Sequence, residues 1–289
     1  MNKVAIMTDS IAAIPPEMAQ KYGIGIVATH VIMDGKSYPD TEIDMGKLYA
    51  RLEEKENLPT TSAVTTGQIL QAYQEMSQKA EAIIFISVTS VFSATYGVAI
   101  QAREMVHEKL PQTIIEVIDS CTVTAAQQLI ALRAAKAAAQ GKSLSEVIEI
   151  TNNLIPQINM LSTRDTFFYL DKGGLVFEAQ SWADAESGST FRAILKVDAS
   201  TGGRTKPIAR AKTKTQIMNK MADIARERIG AKKLHAAIVH TNVPDQAEQL
   251  RKIVLSRLQC DEIYVSEAMG VTAAKNGRGL IHFGFYGSD

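Results

Sequence analysis

The stretch Ala82-Ile83-Ile84-Phe85-Ile86-Ser87-Val88 is almost wholly apolar, and it runs directly into Thr89-Ser90-Val91-Phe92-Ser93-Ala94-Thr95 and then into a helical pattern that reaches Lys109. An apolar run of this length without polar alternation is a strand covered on both faces, as parallel strands in an α/β sheet are. Val4 to Thr8, Ile24 to Met33 and Ile114 to Ile118 read the same way. Between and after them, Thr66 to Lys79, Ser93 to Lys109 and Thr122 to Gln140 carry the 3.6-residue apolar period, and Ser143-x-x-Glu146 is a capping box that opens one more helix. Strand and helix alternate, which predicts a parallel sheet covered by helices.

From about Leu161 the texture changes. Ala193 to Asp198 and Pro207 to Ala211 flank the turn-rich Ser200-Thr201-Gly202-Gly203, as the arms of a hairpin do. Helices at Thr215 to Ile229 and Asp245 to Leu258 follow, with strands at Leu234 to His240, near Glu262 to Val265 and at Leu280 to Phe285. The expected fold class is α/β in two domains. Residues 1–160 form an N-terminal parallel sheet flanked by helices, residues 161–289 form a C-terminal mixed α/β sheet, and a ligand lies between them.

The 289 residues are 46% apolar and 21% charged, with 31 Lys and Arg against 31 Asp and Glu. That balance excludes the basic surplus on which phosphate-backbone binding depends. The one basic cluster, Arg204, Lys206, Arg210, Lys212 and Lys214, has even spacing and would share a face if extended. No apolar run reaches transmembrane length and none opens the chain as a signal peptide, so the protein is expected to be cytoplasmic without stable membrane insertion. Cys121 and Cys260 lack any metal-ligand or redox spacing and read as reduced thiols.

Several catalytic signatures fail on spacing. Gly141-Lys142-Ser143 resembles the end of a phosphate loop, but Lys136 stands where that loop needs glycine. Gly23-Ile24-Gly25 leads into a strand, the reverse of a dinucleotide turn, and Gly277-Arg278-Gly279 lies too near the C-terminus for a βαβ unit. The five histidines show no ligand pairing, so neither a metal nor a cofactor is expected. Asp9 ends the first strand, but Ile11 occupies the position where an aspartyl phosphotransferase needs its second Asp, which leaves Asp9 a structural or hydrogen-bonding role.

The positive signal lies in three hydroxyl-dense segments: Thr8-Asp9-Ser10, Thr60 to Thr66, and Thr89 to Thr95. Each falls at the expected carboxyl end of a strand or the start of a helix, where open sheets form their ligand crevice and helix N-termini offer free N–H groups. Ser and Thr are also ordinary helix caps, and it is the clustering that favours a site. The three segments contain no Lys or Arg, which suits a singly charged carboxylate better than a polyphosphate. The helix faces behind them (Ile69, Leu70, Tyr73, Met76; Val98, Ala102, Met105, Val106) are either plain core or the lining of a channel for an apolar tail.

With those segments in place, the chain resembles the DegV family of bacterial fatty-acid-binding proteins nearly end to end. Val4 to Pro15 is similar to the family's T-D-S-x-A-D-L-P opening, and Asp34-Gly35-Lys36-Ser37-Tyr38-Pro39-Asp40 to its G-K-x-Y-x-D turn. Pro59 to Thr65 and Thr89 to Tyr96 resemble its T-S-Q-P-S and S-S-G-L-S-G-T-Y loops, and Val117 to Ser120 and Leu170 to Gly174 match further landmarks. The resemblance implies a long-chain, palmitate-like fatty acid as ligand. Its carboxylate would be held by Thr61 and Ser93 with Ser62 and Ser90 nearby, and Asp9, Ser10, Thr95, Lys275 and Arg278 would surround the head group.

The resemblance also implies that the chain does no chemistry itself and presents the acid to a separate ATP-dependent fatty acid kinase subunit. Three departures cluster near the head group. Ala94 stands where the family has Gly, Leu175 where many members have Arg, and Ala273 to Gly279 where they read G-x-H-x-G-P-G. Lys275 either replaces the lost histidine as a point charge or, like Arg278, is solvated surface. An alternative is an enzyme acting on a small phosphorylated or carboxylated metabolite, with Asp9, Ser93, Lys275 and Arg278 gathered in one cleft. A third, a regulatory scaffold, rests on the basic stretch from Arg204 to Lys214.

Overall fold

The computed structural model describes residues 2–182 and 191–289. In chain order the first half runs β1 (Asn2–Asp9), α1 (Pro16–Tyr22), β2 (Gly25–Val27), β3 (His30–Met33), β4 (Lys36–Pro39), α2 (Met45–Glu53), β5 (Thr60–Ser62), α3 (Thr66–Ser77), β6 (Ala80–Ser87), α4 (Thr95–Val106), β7 (Ile114–Asp119), α5 (Thr124–Ala139) and α6 (Leu144–Leu154). The second half runs β8 (Asn159–Thr163), α7 (Phe168–Lys172), β9 (Arg192–Lys196), β10 (Lys206–Ala211), α8 (Lys214–Ile229), β11 (Lys233–His240), α9 (Pro244–Leu255), β12 (Cys260–Glu267), α10 (Gly270–Asn276) and β13 (Ile281–Ser288).

The protein is α/β, as its sequence predicts. A four-stranded parallel sheet has the order β2-β1-β6-β7, and a six-stranded mixed sheet the order β10-β9-β8-β13-β11-β12. Successive side chains on the first sheet explain its unbroken apolar strands. Ala5, Met7, Ile83 and Phe85 pack under α3 and α4, while Val4, Ile6, Ile84 and Ile86 face α5. The second sheet is covered likewise. Leu161, Ala236, Ile238, Phe283 and Phe285 pack with α8 and α9, and Met160, Ala237, Val239 and Tyr286 turn toward α5.

Helix α5 therefore lies between the two sheets and is buried along nearly its whole length. Its Ala-rich sequence suits this place, because alanine favours helix and leaves room for a sheet on either side. Gly284 on β13 completes the fit: a Cβ there would come within 2.5 Å of the Ala125 carbonyl carbon and the Ala126 nitrogen.

Two parts of the fold differ from the sequence expectation. The run from Ile24 to Met33 is not one strand. It leaves the parallel sheet after Val27 and re-forms as β3 in a separate antiparallel sheet of order β4-β3-β5, with Asp34 and Gly35 at φ 51° and 74° in the tight turn to β4. The basic residues of β10 do not share a face either. An irregularity between Pro207 and Ala209 reverses the alternation, so Lys206 and Arg210 point to opposite sides. Lys206 pairs with Glu178, Lys214 with Asp165, and Arg204 lies 5.8 Å from the Phe177 ring centre.

Gly284→Val is expected to cost about 2 kcal/mol or more by forcing α5 from β13. Equilibrium denaturation measures this, and an unchanged midpoint would contradict the close approach.

Candidate functional site

A cavity of about 250 Å³ opens where the parallel sheet, the small antiparallel sheet and the mixed sheet meet. Ile11 follows β1, Val88 and Phe92 follow β6, Ser93 and Ala94 lead into α4, and Val123 and Thr124 form the start of α5. Thr61 and Ser62 come from β5, which pairs with β3 through Thr61 opposite Val31 and Ser62 opposite His30. The second half supplies Arg164, Leu170, Leu175, Val197, Thr205 and His282. It also supplies Val271, Thr272, Lys275 and Asn276, which share one face of α10 at helical spacing.

The hydroxyl segments are only partly at this cavity. Thr61, Ser62 and Ser93 line it. Ser93 Oγ accepts the Thr95 N–H at 3.2 Å and lies 2.8 Å from Thr95 Oγ1. Thr95 is buried behind Ser93 rather than on the lining. Ser90 is exposed and its N–H donates to Asp119 Oδ2 at 3.1 Å, away from the lining residues. Ser10 is turned inward, with Oγ accepting the Thr29 N–H at 2.9 Å. Asp9 is enclosed, and burial pushes its carboxyl up to about 6 against the hydrogen bonds from Val88, Gln127 and Ile11.

Of the two basic residues expected at the head group, Lys275 lines the cavity and Arg278 does not. The Arg278 guanidinium pairs with Glu53 at 2.8 Å and lies 4.8 Å from the Tyr49 ring centre, because the Gly277 turn carries it past the end of α10. Burial lowers the Lys275 pKa. The four residues Asp9, Ser93, Lys275 and Arg278 are thus not gathered in one cleft, and only Ser93 and Lys275 reach it.

The helix faces behind the hydroxyl loops line no part of the cavity. Ile69, Tyr73, Met76, Ala102 and Val106 are core on the opposite side of the parallel sheet, packed with Met7 and Phe85, and Met105 is exposed.

The cavity has groups that the sequence reading missed. Arg164 is 6% exposed and donates to Asn276 Oδ1 at 2.5 Å and to Ser162 Oγ at 2.9 Å. His282 lies against Thr124 Oγ1, and burial beside Arg164 holds its imidazole well below the ordinary histidine pKa, so the ring is neutral. Among the described lining residues two are cations and none is a carboxylate. Hydroxyls, Asn276 and His282 share the lining with apolar side chains that include Ile11, Val88, Phe92, Leu170, Leu175, Val197 and Val271. A lining that joins cations and hydroxyls to apolar side chains suits an amphipathic anion.

A hydrogen-bonded line also joins Ser288, His235 and Glu262, with Ser288 Oγ 2.7 Å from His235 Nε2 and His235 Nδ1 3.0 Å from Glu262 Oε1. It ties β11, β12 and β13 together, and none of the three lines the cavity. Among the described residues no group of three or more His, Cys, Asp or Glu is placed to hold a metal ion, and no helix is long and apolar enough to cross a membrane.

Fold and cavity together define an α/β protein with a small-molecule-sized chamber between two sheets. A family model described as an uncharacterised protein of the DegV family matches residues 3–287, and the chain belongs to the DegV family. A DegV domain-containing protein of Clostridium perfringens is 28% identical over 285 residues, covering 96% of this chain and 98% of that one. A solved structure concerning fatty acid binding of a DegV-family protein from Thermus thermophilus superposes with TM-score 0.90 at 23% identity, covering 100% of both chains. A DegV-family protein from Eubacterium eligens loaded with heptadecanoic acid superposes with TM-score 0.87 at 18% identity, covering 99% of this chain and 100% of that one.

Lys275→Met is expected to raise the unfolding midpoint of the ligand-free protein, because it removes a cation that burial disfavours. Arg278→Ala, at an exposed pair, is expected to change stability by less than about 1 kcal/mol. Thermal unfolding of both variants checks the assignment, and the reverse order would contradict it.

Proposed function

We propose that this protein binds a long-chain fatty acid, with the carboxylate at hydroxyls of the cavity lining and the acyl chain along its apolar side chains. The observation that carries the reading is the cavity itself, which cations and hydroxyls line together with apolar side chains from both halves of the chain. On this reading Thr61, Ser62 and Ser93 donate to the carboxylate and Lys275 supplies positive charge, and the presence of all four in the lining supports it. The binding of fatty acids by family members of the same fold supports it.

The tail dominates affinity on this reading. Burying a palmitate-sized chain at about 0.8 kcal/mol per methylene yields a gross term of about 10 kcal/mol, of which ordering the chain takes back a large share. The carboxylate contacts set orientation. The lining includes exposed Ser62 and Ala94 as well as buried Thr124, Asn276 and His282, so a head group near Ser62 would have a route to the surface. That route is what presentation to a separate ATP-dependent fatty acid kinase requires. In this role the chain is a cytoplasmic carrier that does no chemistry itself and needs no cofactor.

Calorimetry on delipidated protein tests the proposal. Palmitate is expected to bind at least about tenfold more tightly than 1-hexadecanol, since hydrogen bonds to a charged group outweigh those to a neutral one. The double variant Thr61→Val with Ser93→Ala should narrow that gap while leaving alcohol binding in place. No heat with either ligand would exclude the reading.

A further inference from the structure

Two carboxylates are enclosed behind the cavity wall without forming part of its surface. Asp9, at the end of β1, accepts the Val88 N–H on Oδ2 at 2.8 Å. Its Oδ1 accepts the Ile11 N–H at 3.2 Å and the Gln127 amide at 3.1 Å. Ile11 and Val88 are lining residues on separate segments, and Gln127 lies on α5 just past the lining residue Thr124.

Asp40, after β4, accepts the Thr29 hydroxyl on Oδ2 at 2.9 Å. Its backbone N–H donates to the Thr29 carbonyl at 2.8 Å, and its carbonyl accepts the Gly270 N–H at 3.3 Å at the start of α10. Gly270 is needed for that approach, because a Cβ there would lie 2.6 Å from Ile43 Cγ2. Ser10 joins the two centres, with Oγ 3.0 Å from Thr29 Oγ1. Thr29 and the Val271 that follows Gly270 also line the cavity.

We propose that Asp9 and Asp40 are the positioning residues of the cavity, two linked buried carboxylates that hold Ile11, Val88, Thr29 and Val271 in register across the junction of the sheets. The proposal deepens the fatty-acid reading, and its ligand arm rests on that reading. At Asp9 a carboxylate suits the place because it accepts N–H groups on both oxygens, whereas an amide would turn a donor toward one of them.

Burial raises both acids, Asp9 to about 6. The charged groups acting on the pair are Asp40 on Asp9 and His30 on Asp40. Protonation of Asp9 places a hydrogen on one oxygen and weakens its hold on one partner. The grip on the cavity wall is therefore full above about pH 6 and falls as pH drops through that value. Fold stability has the opposite sign. A folded pKa above the ordinary carboxylate value means the native state takes up protons first, so this site stabilises the fold as pH falls from about 6 toward 4. A merely structural acid would not loosen ligand binding while it tightened the fold.

The test uses the full chain and cis-parinaric acid as a fluorescent fatty-acid probe. Wild type, Asp9→Asn and Asp40→Asn are titrated with it from pH 8 to pH 5, and the Ile11 and Val88 amide signals of ligand-free wild type are followed by NMR over the same range. The amides are expected to titrate with a midpoint near 6. Wild-type affinity should fall several-fold as pH drops through that midpoint. Asp9→Asn should be flat over the window apart from the probe's own titration, and both variants about tenfold weaker than wild type at pH 7.5. Amides that do not titrate, or an Asp9→Asn protein with wild-type affinity and pH profile, would overturn the proposal. Wild type that binds no probe at any pH would sink the fatty-acid reading instead, and the amide titration, which needs neither ligand nor variant, would still decide the role of Asp9.

Discussion

The structure depends on α5 being thin enough to touch a sheet on each side. An Ala-rich helix buried between two sheets gives up bulky contacts of its own, and in return it fixes the distance between the layers. One continuous apolar cluster follows, running from Val4 and Ile6 through α5 to Ala237, Val239 and Tyr286. The same helix begins at the junction of the sheets, where Val123 and Thr124 form part of the cavity. Thicker side chains on its faces would separate the sheets and change the cavity with them.

The polarity of the cavity follows from where its walls come from. The segments after β1 and β6 and the starts of α4 and α5 contribute apolar Ile11, Val88, Phe92 and Val123 with the hydroxyls of Ser93 and Thr124, while α10 and the mixed sheet contribute Lys275, Asn276, Arg164 and His282. Because His282 is held neutral, the positive charge of the described lining rests on Arg164 and Lys275. Both belong to the second half of the chain, one just after β8 and one on α10. Membership of the DegV family and the close superposition on family structures fit this arrangement of layers.

Much of the fold was legible because local periodicity reports local burial. The strand from Ala80 to Ser87 and the capping box at Ser143 lie close to where their patterns place them. The break between β2 and β3 was not legible, since Ala28 and Thr29 carry no turn signal and the chain leaves the sheet through hydrogen bonds to Ser10 and Asp40, partners distant in sequence. The faces of α3 and α4 could be either core or channel lining from sequence, because an apolar helix face does not say what covers it, and they are core. Arg164 and His282 sit in strand and loop sequence without a motif, and only the pairing of β8 with β13 brings them beside Thr124 and Asn276. The reversal within β10 needed a bulge that spacing alone cannot report.

The central claim is that a carboxylate sits against Thr61 and Ser93 while its chain follows the apolar wall between the sheets. Crystals grown with a palmitate brominated at its terminal carbon test this most directly, since anomalous scattering locates the tail and ordinary density locates the head. The account predicts carboxylate oxygens within hydrogen-bond distance of the Thr61 and Ser93 hydroxyls and bromine among the apolar lining residues. Bromine under α3 and α4, or a head group away from both hydroxyls, would contradict it.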